Sequence, residues 1–165
     1  MKTTGTKKTD GHLRAMIGSE VHVQDVMTRD VISVVKYDSV VQVAHILSEK
    51  NISGLPVVNK ENRVIGIITQ ADILSIMGVR KGNTFKDLLK HMLGEPLPEC
   101  KSGDIVGEIM AAPALTIKAN ASIAEAVQIM DERKIRRLPV VDSKDKLIGI
   151  ISRADILKAV IRNLK

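Results

Sequence analysis

Two short stretches carry the groups with the widest chemical reach: Thr69-Gln70-Ala71-Asp72 and Ser152-Arg153-Ala154-Asp155. Each sets a hydroxyl three residues ahead of a carboxylate, at the start of a run with helical periodicity. A carboxylate can accept from both hydroxyls of a vicinal diol. A hydroxyl at a helix start stands among free N–H groups and the positive end of the helix dipole, where anions are held. Upstream lie Ile52-Ser53-Gly54-Leu55-Pro56 and Ile135-Arg136-Arg137-Leu138-Pro139. Ile, Leu and Pro beside a strand end offer flat apolar walls and a backbone edge for a planar ring. Arg136 and Arg137 can give charge-assisted bonds to an anion. Plainer roles exist for all of them. Thr69 and Ser152 can be simple N-caps, Asp72 and Asp155 their capping-box partners, and the arginines a solvated charge run.

Catalytic alternatives find little support. No HExxH, CxxC, GxxxxGK[ST] or GxSxG pattern occurs. The one cysteine, Cys100, excludes an internal disulfide and a cysteine-based zinc cluster, and His12, His22, His45 and His91 lack ligand-like spacing. No catalytic residue and no metal ligand is assigned. Composition narrows the partners. Aromatic residues are 1% of the 165, only Tyr37 and Phe85, so there are no rings on which single-stranded nucleic acid could stack. The net charge of +6 leaves duplex-backbone contact as a minor alternative, with Lys2, Lys7, Lys8 and Arg14 of the amino-terminal stretch as its candidates. The longest apolar runs fall far short of the roughly 20 residues that span a membrane. The polar amino terminus has no apolar signal core. The expectation is a cytoplasmic protein without membrane association.

The elements that must position these groups come from a duplication. Shifting the chain by 83 residues lays Val26–Leu74 over Ile109–Leu157 without a gap, and 17 of 49 positions are identical. Each copy reads strand (31–35, 114–118), Ser-capped helix (40–50, 123–133), strand (55–58, 138–141), polar hairpin turn, strand, and a second helix opening with QADIL or RADIL. Val40, Val43, Ala44 and Leu47 form the apolar stripe of the first helix, and Ile123, Ala126, Val127 and Met130 that of its counterpart. Gly66 and Gly149 are expected to serve a close backbone approach or a β-bulge. A unit of about 55 residues is near the lower limit for a stable core. The fold class is therefore α/β (α+β): two β-α-β-β-α repeats packed sheet to sheet with pseudo-twofold symmetry. The organisation is a basic tail (1–20), repeat one (21–76), a connector (77–105) with an amphipathic helix over 85–93, and repeat two (106–165).

The repeats resemble cystathionine-β-synthase (CBS) domains, whose tandem pairs are called Bateman modules. The matching marks are Asp25-Val26-Met27 and Glu108-Ile109-Met110, Ile-x-x-Leu-Pro-Val-Val at 52–58 and 135–141, and apolar-Gly-Ile-Ile-[Thr/Ser]-x-x-Asp at 65–72 and 148–155. The resemblance implies a non-catalytic regulatory module. It binds AMP, ADP or ATP, or S-adenosylmethionine in their place, and needs no cofactor. It signals to a separate effector protein and forms a homodimer. A ligand-free structural or protein/nucleic-acid interaction module is the alternative. The resemblance also implies crossed clefts. One combines Ile67, Thr69 and Asp72 with Leu115, Ile135, Arg136, Arg137 and Pro139. The other combines Ile150, Ser152 and Asp155 with Ile32, Ile52, Ser53, Gly54 and Pro56. Since only the first contains the arginine pair, phosphorylated adenosine is expected to prefer it.

Overall fold

The computed structural model describes residues 21–76 and 104–163. The basic tail, the helix expected over 85–93, His12, His91 and Cys100 lie outside the described residues. The element order is α1 (Val23–Val26), β1 (Val34–Val35), α2 (Val40–Glu49), β2 (Gly54–Val58), β3 (Val64–Thr69), α3 (Gln70–Ile76), α4 (Val106–Ile109), β4 (Ile117–Lys118), α5 (Ile123–Glu132), β5 (Arg137–Val141), β6 (Leu147–Ser152) and α6 (Arg153–Asn163). The expected strand–helix–strand–strand–helix order is present twice. Each copy has a three-stranded sheet, β1-β2-β3 or β4-β5-β6, with a parallel first pair and an antiparallel second. The opening strands are shorter than expected. Of 31–35 and 114–118, only Val34–Val35 and Ile117–Lys118 run beside a partner.

The chain forms two compact units, and neither is one contiguous repeat. One joins residues 21–31 to 115–163; the other is built from 32–76 and 104–114. Each unit thus takes its opening helix from the other repeat. In the first, Val23 N–H donates to Ala121 O and Gln24 N–H to Ala119 O, both at 2.9 Å. The second repeats the arrangement, Val106 N–H to Asp38 O at 2.9 Å and Gly107 N–H to Lys36 O at 2.8 Å. The apolar residues of the opening helices enter the cores. Val23 and Met27 join Ile117, Ile123, Met130, Leu138 and Ile151, while Val106 joins Val34, Val43, Leu47, Leu55 and Ile68.

Local sequence explains the remaining geometry. The stripes expected of α2 and α5 are buried at Val40, Val43 and Leu47, and at Ile123, Ala126 and Met130, but Val127 is 46% exposed. Its place is taken by the half-buried Ile129. Ser39 and Ser122 both occupy the N-cap, but only Ser122 accepts a bond, from Glu125 N–H at 3.1 Å. Both expectations for Gly66 and Gly149 hold. A Cβ on Gly66 would stand 2.6 Å from Met110 Sδ, and one on Gly149 2.5 Å from Met27 Sδ. Each glycine also adjoins a register shift in its strand pair, between Val57 and Val58 or between Val140 and Val141. The hairpin turns are folded by one side chain each. Asn59 Oδ1 accepts from the N–H groups of Glu61 and Arg63, and Asp142 Oδ1 accepts from those of Lys144 and Lys146.

Helices α2 and α5 end alike, in a motif with one residue in the left-handed region. Ile52 N–H donates to Leu47 O at 3.0 Å and Asn51 N–H to Ser48 O at 3.2 Å, with Asn51 at φ 51°. The counterparts are Ile135 to Met130 at 3.0 Å and Lys134 to Asp131 at 3.4 Å, with Lys134 at φ 54°. Asparagine tolerates this region, whereas lysine meets the Cβ–carbonyl crowding that glycine avoids. Lys134→Gly is therefore expected to stabilise the protein by about 1 kcal/mol in a urea melt. A loss of stability would show instead that the exposed Lys134–Asp131 ion pair, at 3.4 Å, governs this turn.

The Asp142 turn generates a pH prediction. The backbone N–H of Lys146 holds the Asp142 carboxyl below the ordinary aspartate value. Desolvation opposes this, while the N–H of Lys144 and the charges of Lys146 and Lys118 assist it. A carboxyl depressed on folding contributes stability above its unfolded value of about 3.9, and the contribution is lost as pH falls through the folded value. Asp142→Asn keeps the turn acceptor, as Asn59 does in the other hairpin, but removes the titration. Wild type should melt above this variant at pH 7, and the gap should close as pH drops below about 4. A gap equal at pH 7 and pH 3 would overturn the assignment.

Candidate functional site

The two hydroxyl–carboxylate pairs close on themselves where β3 meets α3 and β6 meets α6. Asp72 Oδ2 accepts from Thr69 N–H at 2.7 Å and from Thr69 Oγ1 at 2.8 Å, while Thr69 Oγ1 accepts from Asp72 N–H at 3.4 Å. In the other copy, Asp155 Oδ2 accepts from Ser152 N–H at 2.9 Å and Ser152 Oγ at 2.7 Å, and Asp155 N–H donates back at 3.2 Å. The capping role is therefore real. It engages one oxygen of each carboxylate; the Oδ1 atoms have no hydrogen-bond partner among the described residues. All four residues are half-buried.

Strand register decides what shares a face with these pairs. Leu55 pairs with Ile68 and Leu138 with Ile151, and all four point into their cores. Paired residues of an antiparallel ladder lie on one face, and neighbours alternate. The opposite face of the first sheet therefore carries Gly54 beside Thr69 and Pro56 beside Ile67. On the second sheet, Arg137 lies beside Ser152 and Pro139 beside Ile150. Burial, and then the neighbouring Arg136 guanidinium, push Arg137 below the ordinary arginine value; Arg136 itself is exposed. The two faces differ in charge. One presents a glycine where the other presents a guanidinium.

The other expected wall residues divide. Ile32 and Ile52 are half-buried against the core of their own unit, and Ile135 against that of the other; Leu115 is 42% exposed. Ser53 contributes its carbonyl, which accepts from Gln70 N–H at 3.1 Å. Ile32, Ile52, Ser53, Gly54, Pro56, Ile67, Thr69 and Asp72 belong to one unit, and Leu115, Ile135, Arg136, Arg137, Pro139, Ile150, Ser152 and Asp155 to the other. The residues expected of each cleft are thus divided between the two units.

Two stretches beside these faces were not singled out from the sequence. Thr28 and Ile150 exchange backbone bonds at 2.9 Å in both directions, and Ala111 and Ile67 do so at 2.9 and 3.0 Å. The backbone donors and acceptors of Ile67 and Ile150 are thereby occupied. Thr28-Arg29-Asp30 consequently borders one face, and Ala111-Ala112-Pro113 the other. The only sequence signal was their position just after the Asp-Val-Met and Glu-Ile-Met marks. Arg29 donates from Nη2 to Gln24 O at 3.0 Å, and Arg153 from Nη2 to Met130 O at 3.1 Å. Both guanidiniums are thus turned onto helix-end carbonyls. Among the described residues no group of three His, Cys, Asp or Glu side chains could hold a metal ion, and no helix is long and apolar enough to cross a membrane.

Comparison with known proteins follows the same two repeats. The chain is 34% identical over 147 residues to protein MJ1404 of Methanocaldococcus jannaschii, which covers 89% of this chain and 34% of that one. It is 31% identical over 156 residues to the chloroplastic CBS domain-containing protein CBSX2 of Arabidopsis thaliana, covering 85% of this chain and 63% of the other. It therefore spans between about a third and five-eighths of the length of these curated relatives. The crystal structure of CBSX2 in complex with AMP matches with a TM-score of 0.70 at 29% identity, over 87% of this chain and 98% of that one. The family model for the CBS domain matches twice, at residues 23–78 and 106–162. Together with the duplicated sheets and their paired hydroxyl–carboxylate boxes, these matches establish that the chain belongs to the CBS domain family, as a tandem pair.

Proposed function

We infer that the chain is a non-catalytic regulatory module that binds AMP, ADP or ATP, or S-adenosylmethionine in their place, and signals to a separate effector protein. The observation that carries this reading is the Oδ1 of Asp72 and of Asp155, which has no hydrogen-bond partner among the described residues, each on a carboxylate fixed by its own cap. A fixed carboxylate with one free oxygen suits a ribose diol, and the adjacent Ile and Pro side chains suit an adenine ring. The likeness to CBSX2, whose structure holds AMP, supports the same ligand class. In this reading the repeats are 21–76 and 106–165, the module works as a homodimer in the cytoplasm, and it requires no cofactor.

The clefts are crossed. Asp72, Thr69 and Ile67 work with Leu115, Ile135, Pro139 and the arginines, and Asp155, Ser152 and Ile150 with Ile32, Ile52, Ser53, Gly54 and Pro56. In this reading phosphorylated adenosine prefers the first cleft, because the crossed assignment groups Arg136 and Arg137 with Asp72 there, while on its own sheet Arg137 stands beside Ser152. Thr28 and Arg29 border Ile150, and in this reading that cleft is empty or takes a less charged ligand.

Calorimetry with AMP, ATP and adenosine tests the reading. Asp72→Ala should weaken AMP by about ten- to a hundredfold, the worth of a hydrogen bond to a charged group. The same change removes a capping-box acceptor and should cost about 1 kcal/mol in a ligand-free melt. Asp72→Asn separates the two effects, since it can keep an acceptor for Thr69 while removing the charge that faces the diol. Replacing Arg136 and Arg137 together should weaken ATP and AMP more than adenosine, and Asp155→Ala should spare the tight site. Loss of the tight site in Asp155→Ala alone would overturn the crossed assignment. If no adenosine compound raises the melting temperature at millimolar concentration, the ligand-free interaction module becomes the correct account.

A further inference from the structure

The repeats differ in a second place, at the far end of the sheet from the hydroxyl–carboxylate box of the same unit. At the opposite end of β5 and β6, where the parallel pair β4–β5 ends, the unit of 21–31 and 115–163 has a cleft of about 520 Å³. Small-molecule sites fall in this size range. Its floor is Ala119, Val141 and Ile148, and its rim carries Gln24, Asn120, Ser143 and Asp142.

The other unit shows what the same place looks like when filled. The repeat shift of 83 residues equates Ala119 with Lys36 and Gln24 with Gly107. The backbone agrees, because Gln24 N–H donates to Ala119 O as Gly107 N–H does to Lys36 O. The Lys36 side chain lies across Gly107 so closely that a Cβ there would meet Lys36 Cγ at 2.5 Å and Cε at 2.9 Å. A long side chain over glycine in one unit has become alanine beside glutamine in the other. That exchange opens the cleft and turns a carboxamide toward it.

The polar groups specify what could enter. The carboxamides of Gln24 and Asn120 and the hydroxyl of Ser143 have no hydrogen-bond partner among the described residues, and Asp142 engages only Oδ1, in its own turn. Lys118 is spent on the turn, donating from Nζ to Asp142 O at 2.9 Å and to Asp145 Oδ1 at 2.6 Å. An anion entering here meets the Asp142 carboxylate, and a cation meets the Lys118 ammonium. Carboxamides and a hydroxyl both donate and accept, which is the complement of hydroxyl groups. We propose that this cleft is a second ligand site, outside the adenosine clefts, for a small uncharged polyhydroxylated molecule of monosaccharide size.

The test uses the full chain and myo-inositol as the probe, with inorganic phosphate as the ionic control. In an NMR titration, myo-inositol should shift the side-chain amide resonances of Gln24 and Asn120 and saturate in the millimolar range, while phosphate leaves them unmoved. Gln24→Gly with Ala119→Lys rebuilds the packing already present in the other unit and should abolish the Asn120 side-chain shift without lowering the melting temperature. Asn120→Ala, on the rim, should weaken binding by up to about tenfold, and it serves should the double variant fold poorly. Unmoved amides at saturating myo-inositol, equal shifts in the filled variant, or preferential binding of phosphate would each overturn the proposal. Since AMP binding is read separately, failure here leaves the adenosine reading untouched, and the reverse holds as well.

Discussion

Everything else in this protein hangs on the exchange of opening segments between repeats. Val23 is fully buried, beside Met27, in a core whose other buried members come from residues 117–156, and Val106 is fully buried in the core of residues 32–73. The exchange is held by paired backbone bonds at both ends of each segment. Val23 and Gln24 bind the chain after β4, and Thr28 extends the edge of β6 at Ile150. Without it, each sheet loses an edge partner and each core a lid. The close approach at Gly66 and Gly149 is part of the same design, because the methionine ending each opening helix lies where a Cβ would be.

The exchange also shapes the candidate site. By occupying the outer edges of β3 and β6, Ala111 and Thr28 leave the side chains of Ile67 and Ile150, rather than their backbone, facing outward. The same segments deliver unlike neighbours to the two faces, Thr-Arg-Asp to one and Ala-Ala-Pro to the other. Together with Arg137 opposite Ser152 and Gly54 opposite Thr69, this makes the duplicated halves chemically distinct although their backbones follow one plan. Duplication preserved the caps and registers. Residues beside them have diverged, Ser53-Gly54 against Arg136-Arg137 among them.

Much of this was legible in the sequence wherever local physics decides. Apolar spacing placed α2 and α5 to within a residue, because one helical face must meet the core. The Asn59 and Asp142 turns were readable as polar hairpins, and the Thr69–Asp72 and Ser152–Asp155 boxes from their three-residue spacing. What escaped was non-local or very short. Helices α1 and α4 have four residues each, too few for a period to show. The pairing of Gln24 with Ala119 links residues 95 positions apart, which no local pattern encodes. Val127 looked like part of a stripe, yet α5 turns Ile129 toward the core instead. The candidate site residues come from the motif, whereas the orientation of Arg153 onto Met130 could not be read from it, since it depends on where α5 ends.

The exchanged segments carry a consequence for how such a chain can arise. A polypeptide with a single repeat would hold an opening helix with no sheet to cover and a sheet with no helix to cover it. Two identical chains could satisfy both needs by trading segments, so the smallest self-sufficient form is reciprocal. Joining the copies in one chain keeps the trade but changes its physics: the second partner is now tethered, and its effective concentration is set by the connector rather than by abundance in solution. Fusion also frees the copies from identity. Once each half is answerable only to its tethered partner, Lys36 over Gly107 in one unit can coexist with Ala119 beside Gln24 in the other. A symmetric assembly of identical chains could not hold that combination.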